Sequence, residues 1–341
     1  METMSGRHLC VIYTGGTIGM GKTPTGFAPM PNLGDKLRQA LAGEVGLPSF
    51  DLVEYPLLID SSNAIPADWQ MIARDIAARR AEHDGFVVLH GTDTMAYTAA
   101  ALSFMLAGIA VPVVISGSQI PFGEPGSDAA DNVRDALRFA ATPELCGVGL
   151  AFAGKLYRGS RARKVDSRAM AAFDSPELPP LAHIDAAGDV VVVTGRELPQ
   201  DIGGFELADY EAGRVLSFRF APGMPLAALE ALLALKPRAL LLEAYGLGNA
   251  PDAMAGLEAA LRRASAEGVV IAVLTQTDRG GVGLGEYAAG SWLIRAGAVP
   301  AGDMTFEAAF AKLHHLFAQG LAPEAVRAAF VTPLAGECGE G

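Results

Sequence analysis

Apolar, β-rich runs alternate with amphipathic stretches through the first half of the chain. Continuous apolar runs at 8–13, 52–55, 86–90, 111–116 and 148–152 predict strands buried on both faces, because a strand with one wet face would alternate instead. Between them the period lengthens to that of a helix. Pro66 and Asp68 open a run with Trp69, Ile72, Ile76 and Ala77 on one side and Arg74, Asp75, Arg79 and Arg80 on the other. That is the pattern of a surface helix with proline in its first turn. Residues 131–140 place Val133, Leu137 and Ala140 on one face. Strand alternating with helix predicts a parallel sheet with right-handed crossovers.

After a further strand at 189–194 the periodicity lapses. Residues 195–213 are rich in Gly and acidic side chains and carry Pro199, with no helical period, which predicts an interdomain linker. Strands at 216–220, 239–243 and 269–274 then alternate with helices at 225–235 and 252–266, and helices at 306–319 and 323–330 close the chain. The domains are therefore expected at 1–194 and 214–341, and 341 residues suffice to bury two cores without disulfides or metals.

Half of the residues are hydrophobic and 19% are charged, which excludes a disordered or coiled-coil chain. A formal net charge of −12 argues against nucleic acid as a partner. No charge occurs over 94–123, a stretch longer than the ~20 residues of a membrane span. Gly108, Pro112 and Gly117 interrupt it, and Tyr97, Thr98, Ser103, Ser116, Ser118 and Gln119 would carry polar groups into lipid, so a buried helix at 94–107 leading into a strand is expected instead. The N-terminus shows no signal-peptide pattern, so the expected location is cytoplasmic, away from membranes. Cys10, Cys146 and Cys338 form neither a disulfide framework nor a zinc pattern. The adjacent His314 and His315 would point ~100° apart on a helix, which makes a shared metal unexpected.

Glycine, at 40 of 341 residues, exceeds the usual ~7%, and some of the excess falls at strand ends. The first strand run ends in Thr14-Gly15-Gly16-Thr17-Ile18-Gly19, and Gly16-x-x-x-x-Gly21-Lys22-Thr23 formally matches a phosphate-binding loop. Such a loop must open a helix whose N-terminus faces the phosphates. Pro24, Gly26, Pro29, Pro31 and Gly34 prevent a continuous helix there, so a nucleotidase is not expected. The hydroxyls are more informative. Thr14 and Thr17 flank glycines at a strand end, where open α/β sheets bind ligands, and the third strand ends likewise in His90-Gly91-Thr92-Asp93-Thr94. Either Thr92 or Asp93 alone would read as a helix cap; two threonine-rich turns at neighbouring strand ends are harder to explain as caps.

Thr14-Gly15-Gly16-Thr17-Ile18 and His90-Gly91-Thr92-Asp93-Thr94-Met95 resemble the two signatures of the bacterial-type L-asparaginases. The similarity extends through Asp60-Ser61-Ser62, Ser116-Gly117-Ser118-Gln119, Leu156-Tyr157-Arg158-Gly159, Lys164 and Ala244-Tyr245-Gly246-Leu247-Gly248-Asn249. With no signal peptide evident, the chain resembles the cytoplasmic, type I branch. The fold this implies is α/β, a large N-terminal parallel-sheet domain of Rossmann/flavodoxin-like kind followed by a smaller C-terminal α/β domain. The activity implied is hydrolysis of L-asparagine to L-aspartate and ammonia, with no cofactor and no metal. A free threonine hydroxyl is a weak nucleophile, so the site must activate it, stabilise an oxyanion and protonate ammonia.

By this resemblance Thr14 is the nucleophile, forming a β-aspartyl ester, and Thr92, Asp93 and Lys164 form a hydroxyl, carboxylate and amine triad beside it. Lys164 faces opposed demands, since burial favours loss of its proton and Asp93 favours its retention, so proton transfer and electrostatic orientation both stay open. Without the resemblance it would read as one surface cation among Arg158, Arg161 and Arg163. Substrate contacts are expected from Asp60, Ser61, Ser62, Thr92, Asp93, Ser118 and Asn249. Asp93 would take the α-ammonium and the serines the α-carboxylate, while Asp60 and Asn63 suit turn positions. Asn249 resembles a residue completing the site from a neighbouring subunit, which implies a homodimer or homotetramer. Family members carry a tyrosine on the loop after the first motif, where Phe27 stands here. Alternatives are a glutaminase-asparaginase, a weakened amino-acid-binding sensor, and a transfer-RNA amidotransferase subunit, for whose extra N-terminal domain there is no room before Leu9.

Overall fold

The computed structural model describes residues 6–24, 26–29, 33–42, 44, 46–193, 207–285 and 288–339. Two compact units divide the chain, Met1–Leu207 and Ala208–Gly341. The expected linker falls mostly at 195–206, outside the described residues.

The strands of the first unit are β1 (His8–Tyr13), β2 (Met20–Thr23), β3 (Gly26–Pro29), β4 (Ser49–Glu54), β5 (Gly85–Leu89), β6 (Pro112–Ser116), β7 (Gly147–Phe152), β8 (Lys155–Arg158), β9 (Arg163–Lys164), β10 (Phe173–Asp174), β11 (Ala182–Ile184) and β12 (Val190–Val192). Its helices are α1 (Leu33–Leu41), α2 (Pro66–Arg79), α3 (Met95–Met105) and α4 (Ala129–Ala140). One sheet runs in the order β12-β11-β8-β7-β6-β5-β1-β4. Its β7, β6, β5, β1 and β4 pair in parallel, and β1, β5, β6 and β7 are almost wholly buried as the continuous apolar runs predict, whereas β4, expected to be buried on both faces, is the half-exposed edge strand. Counted along the chain, those five strands lie in the flavodoxin-like order 2-1-3-4-5, whose switch point falls between β1 and β5.

The sheet is not wholly parallel. A two-residue turn at Ala153 and Gly154, both at positive φ, folds β8 back on β7, and β11 and β12 extend this antiparallel flank. The charge-free stretch resolves as expected into α3, buried everywhere except Tyr97, and the buried strand β6. Among the described residues no helix is long and apolar enough to cross a membrane. The formal phosphate loop continues as the antiparallel pair β2–β3, with Gly21, Lys22 and Thr23 on a strand and not at the start of a helix. Helix α1, unmarked by the pattern, begins only at Leu33.

In the second unit β13 (Val215–Arg219), β14 (Ala239–Ala244), β15 (Val270–Thr275) and β16 (Ala298–Pro300) form a parallel sheet in chain order. Its helices are α5 (Leu226–Ala234), α6 (Leu257–Ala266), α7 (Ala288–Arg295), α8 (Phe306–Ala318) and α9 (Pro323–Phe330). Helix α6 starts later than the sequence pattern suggests, because Gly256 takes a left-handed φ of 86° at its N-cap and ends helical geometry there. On α8, His314 packs edge-on to Phe310 and His315 Nδ1 lies 2.8 Å from Tyr210 Oη. Burial pushes both imidazoles down to about 4, the behaviour of core histidines.

One side chain ties the site-bearing end of the first sheet together. Asn132 of α4 donates from Nδ2 to Gly117 O (3.0 Å) and Asp128 Oδ2 (2.9 Å), and its Oδ1 accepts from Ala153 N (3.0 Å). Asn132→Ala removes the side-chain partner of Gly117 O and Ala153 N and is expected to lower stability in urea unfolding by about 1–3 kcal/mol; an unchanged midpoint would contradict the clamp.

Candidate active site

At the switch point three turns meet, two of them backbone to backbone and the third through the Ser61 side chain. Gly16 has a φ of +95°, and a Cβ there would stand 2.4 Å from Gly91 N and 2.5 Å from Gly91 Cα. A Cβ on Gly91 would in turn lie 2.3 Å from Ser61 Oγ. The turns after β1 and β5 and the short 3-10 turn Ser61–Asn63 therefore approach so closely that glycine is required at both positions. Thr94 reinforces the contact by donating from Oγ1 to Ser61 O at 2.7 Å.

Thr14 ends β1 fully buried. Its N–H (3.0 Å) and its Oγ1 (2.9 Å) both donate to Leu89 O on β5, and Ile59 N donates to Thr14 O at 2.7 Å. The hydroxyl is thus fixed across the switch point, with its proton on a carbonyl. Thr92 is differently equipped. Lys164 Nζ donates to Thr92 Oγ1 and to Asp93 Oδ1, both at 2.9 Å, and Thr92 Oγ1 directs its proton toward Gln119 Oε1 at 3.4 Å. Thr92 is buried, the Lys164 side chain is 20% exposed, and that of Asp93 is 63% exposed. This converts an apparent surface lysine into the bridge between a hydroxyl and a carboxylate. Arg158 and Arg161 beside it in sequence are buried.

Lys164 reaches Thr92 because β9 pairs with β10, Lys164 opposite Phe173, holding a segment outside the main sheet. The loop after β6 is held by the Asp128 carboxylate, which accepts from Gln119 N and Ile120 N at 3.0–3.1 Å. Within that loop Ser118 is buried and its Oγ has no hydrogen-bond partner among the described residues. A buried hydroxyl left unpaired is suited to meeting a ligand. Behind the second turn, buried His90 places Nδ1 2.8 Å from Gly91 O and Nε2 3.1 Å from Thr98 Oγ1. Burial pushes its pKa down, so it serves as a neutral support for the turn.

The remaining expected contacts divide. Ser61 is buried against Gly91, whereas Asp60 is occupied by its own turn: Oδ1 accepts from Ser62 N (3.1 Å) and Ser62 Oγ (2.9 Å), and Oδ2 from Asn63 Nδ2 (3.0 Å). Asn249 belongs to the second unit, in a turn closed by reciprocal 2.8 Å backbone bonds with Tyr245 at the end of β14. Phe27 lies on β3 opposite Lys22, in a hairpin and not an irregular loop; its side chain is outside the described residues. Gln119, Asp128 and Asn132 were not singled out as site residues from sequence. The one available signal is Asp128 and Asn132 four residues apart at the start of an amphipathic helix.

The model for "Asparaginase, N-terminal" matches residues 8–197, and that for "Glutaminase/Asparaginase C-terminal domain" matches 214–330. L-asparaginase 1 of Escherichia coli K12 is 41% identical over 98% of both chains. Among solved structures, L-asparaginase I from Vibrio cholerae superposes with a TM-score of 0.89 at 38% identity, covering 98% of this chain and 99% of that one. The thermostable L-asparaginase from Thermococcus kodakarensis gives 0.89 at 34% identity, covering 98% and 100%. Similarity on this scale, reaching along nearly the whole chain and through both threonine-bearing turns, makes the protein a member of the asparaginase family.

Proposed function

We propose that the protein is an L-asparaginase that hydrolyses the side-chain amide of L-asparagine through a covalent ester on Thr14. The observation that carries this reading is the 2.9 Å contact of Lys164 Nζ with both Thr92 Oγ1 and Asp93 Oδ1 at the switch point next to Thr14. Proton transfer and charge stabilisation are the needs of amide cleavage, and a hydroxyl bridged to an amine and a carboxylate supplies the groups for them.

In the proposed sequence Thr14 Oγ1 gives up the proton it shares with Leu89 O and attacks the amide carbon. The tetrahedral intermediate collapses with breakage of the C–N bond, and ammonia leaves after taking a proton. Water then adds to the aspartyl ester, and Thr14 leaves with its proton restored. Thr92 and Lys164 relay protons and orient the attacking oxygen. Asp93 receives the α-ammonium, and Ser61, Ser62 and the backbone after Thr14 receive the α-carboxylate. Ser118 adds a hydroxyl, while Asp60 shapes the turn through its bonds to Ser62 and Asn63. Asn249 completes the site from a second copy in a cytoplasmic homo-oligomer. A second reading makes Thr92 the attacking group, because its hydroxyl, not that of Thr14, meets the lysine.

Thr14→Ala is expected to lower ammonia release from L-asparagine by about a thousandfold or more while L-aspartate still binds. Thr92→Ala and Lys164→Met should each cost roughly 10²–10⁴ in kcat. Wild-type turnover in Thr14→Ala would overturn the assignment, and asparagine binding without hydrolysis by the wild type would instead indicate a sensor. Steady-state assays of Phe27→Tyr should show turnover preserved or raised; a large loss would contradict the alignment of Phe27 with the family's tyrosine.

A further inference from the structure

The opposite end of β1 carries a second convergence of side chains. His8 opens β1, Asp51 lies on β4, and His83 sits in the connection from α2 to β5. Asp51 Oδ2 lies 3.1 Å from His8 Nε2 and 3.3 Å from His83 Nε2, and one donor atom from each residue falls within 4.8 Å of the others. The site and the catalytic turns are separated by the length of a six-residue strand, about 20 Å.

The outer nitrogens of both rings are already engaged. His83 Nδ1 is 3.1 Å from Arg79 O, which can only accept, so Nδ1 carries its proton. His8 Nδ1 is 2.9 Å from Ser49 Oγ, and with the Ser49 proton directed to Arg7 O at 3.2 Å that oxygen can accept from the ring. With Nδ1 engaged on each ring, both Nε2 atoms are left to face one carboxylate oxygen. An N–H fixed on a backbone carbonyl or hydroxyl, with the other nitrogen free, is the usual arrangement of a metal-ligating histidine. The two rings stack, with centroids 5.3 Å apart and planes 20° apart, so that they approach Asp51 side by side. One of those rings, His83, is only 4% exposed. A single divalent cation placed among them could be bound by both Nε2 atoms and by Asp51 Oδ2 together.

We propose that His8 Nε2, His83 Nε2 and Asp51 Oδ2 form a binding site for a divalent first-row transition cation of the zinc type. Ligands about 2.1 Å from a tetrahedral centre lie about 3.4 Å apart, close to the 3.1 and 3.3 Å between Asp51 Oδ2 and the two Nε2 atoms. Two imidazoles and a carboxylate are a donor set zinc accepts, and the 44% and 64% exposure of the His8 and Asp51 side chains gives an entry path and freedom to close. Asp84 is not a fourth ligand in this arrangement, since it accepts from His8 N and from Arg7. The cation ties β1, β4 and the α2–β5 connection at the edge remote from the chemistry, so it stabilises the fold and leaves turnover unchanged.

The test is calorimetric titration of untagged, metal-stripped, full-length protein with zinc chloride, alongside thermal unfolding and ammonia release. Wild type should bind roughly one zinc per chain at this site, with the unfolding midpoint rising as zinc increases. His8→Asn, which keeps a polar group near Ser49, and Asp51→Asn should each weaken binding by about tenfold or more with activity retained. Cobalt(II) added to the wild type should give the visible absorption of a low-symmetry nitrogen–oxygen site, a readout independent of the variants. Failure of the wild type to bind zinc, or equal binding by both variants, would overturn the proposal.

Discussion

The site depends on a steric constraint: the turns after β1 and β5 touch through their backbones. Gly16 presses on Gly91, and Gly91 on Ser61, at distances that admit no Cβ. Parallel strands with continuous apolar sequence set the strand ends side by side, and the reversal of strand order between β1 and β5 opens a crevice there. The glycines let the chain close that crevice from below, while Thr14 and Thr92 supply hydroxyls next to the points of contact. Replacing either glycine would separate the two turns, so the chemistry and the packing share the same residues.

Around this contact the molecule holds its polar groups by satisfied hydrogen bonds. Asp128 and Asn132 hold the loop carrying Ser118 and Gln119, His90 supports the turn at Gly91, and the β9–β10 ladder delivers Lys164. Each support lies behind the hydroxyls, so the reacting groups are positioned by residues that themselves have little freedom. The exception is informative: the buried Ser118 hydroxyl has no hydrogen-bond partner among the described residues, whereas the Thr14 proton rests on a backbone carbonyl.

Much of this was legible in sequence where one physical signal dominated. Strands buried on both faces wrote themselves as apolar runs, and Pro66 marked the start of α2 at the residue where it begins. The two threonine-rich turns were legible because strand ends are where such sheets bind ligands. The antiparallel flank was legible only in its outermost strand, expected at 189–194 and found as β12, since β8 and β11 are too short to show a period. The reach of Lys164 was invisible for a related reason: a two-residue ladder has no pattern, and a lysine among arginines looks like solvated surface. Gln119 and Asp128 are linked by backbone N–H groups of a loop, which no side-chain spacing encodes. The His8, Asp51 and His83 cluster is likewise assembled from three distant segments, so only the fold brings it to view.

The central claim is that Thr14 carries the acyl group while Thr92 and Lys164 manage protons. The most direct measurement is acid quench of the enzyme turning over L-asparagine, followed by digestion and mass spectrometry of the threonine-bearing peptides. The account predicts an added aspartyl group, as an ester, on the peptide containing Thr14. An aspartyl group on the peptide containing Thr92 would contradict it.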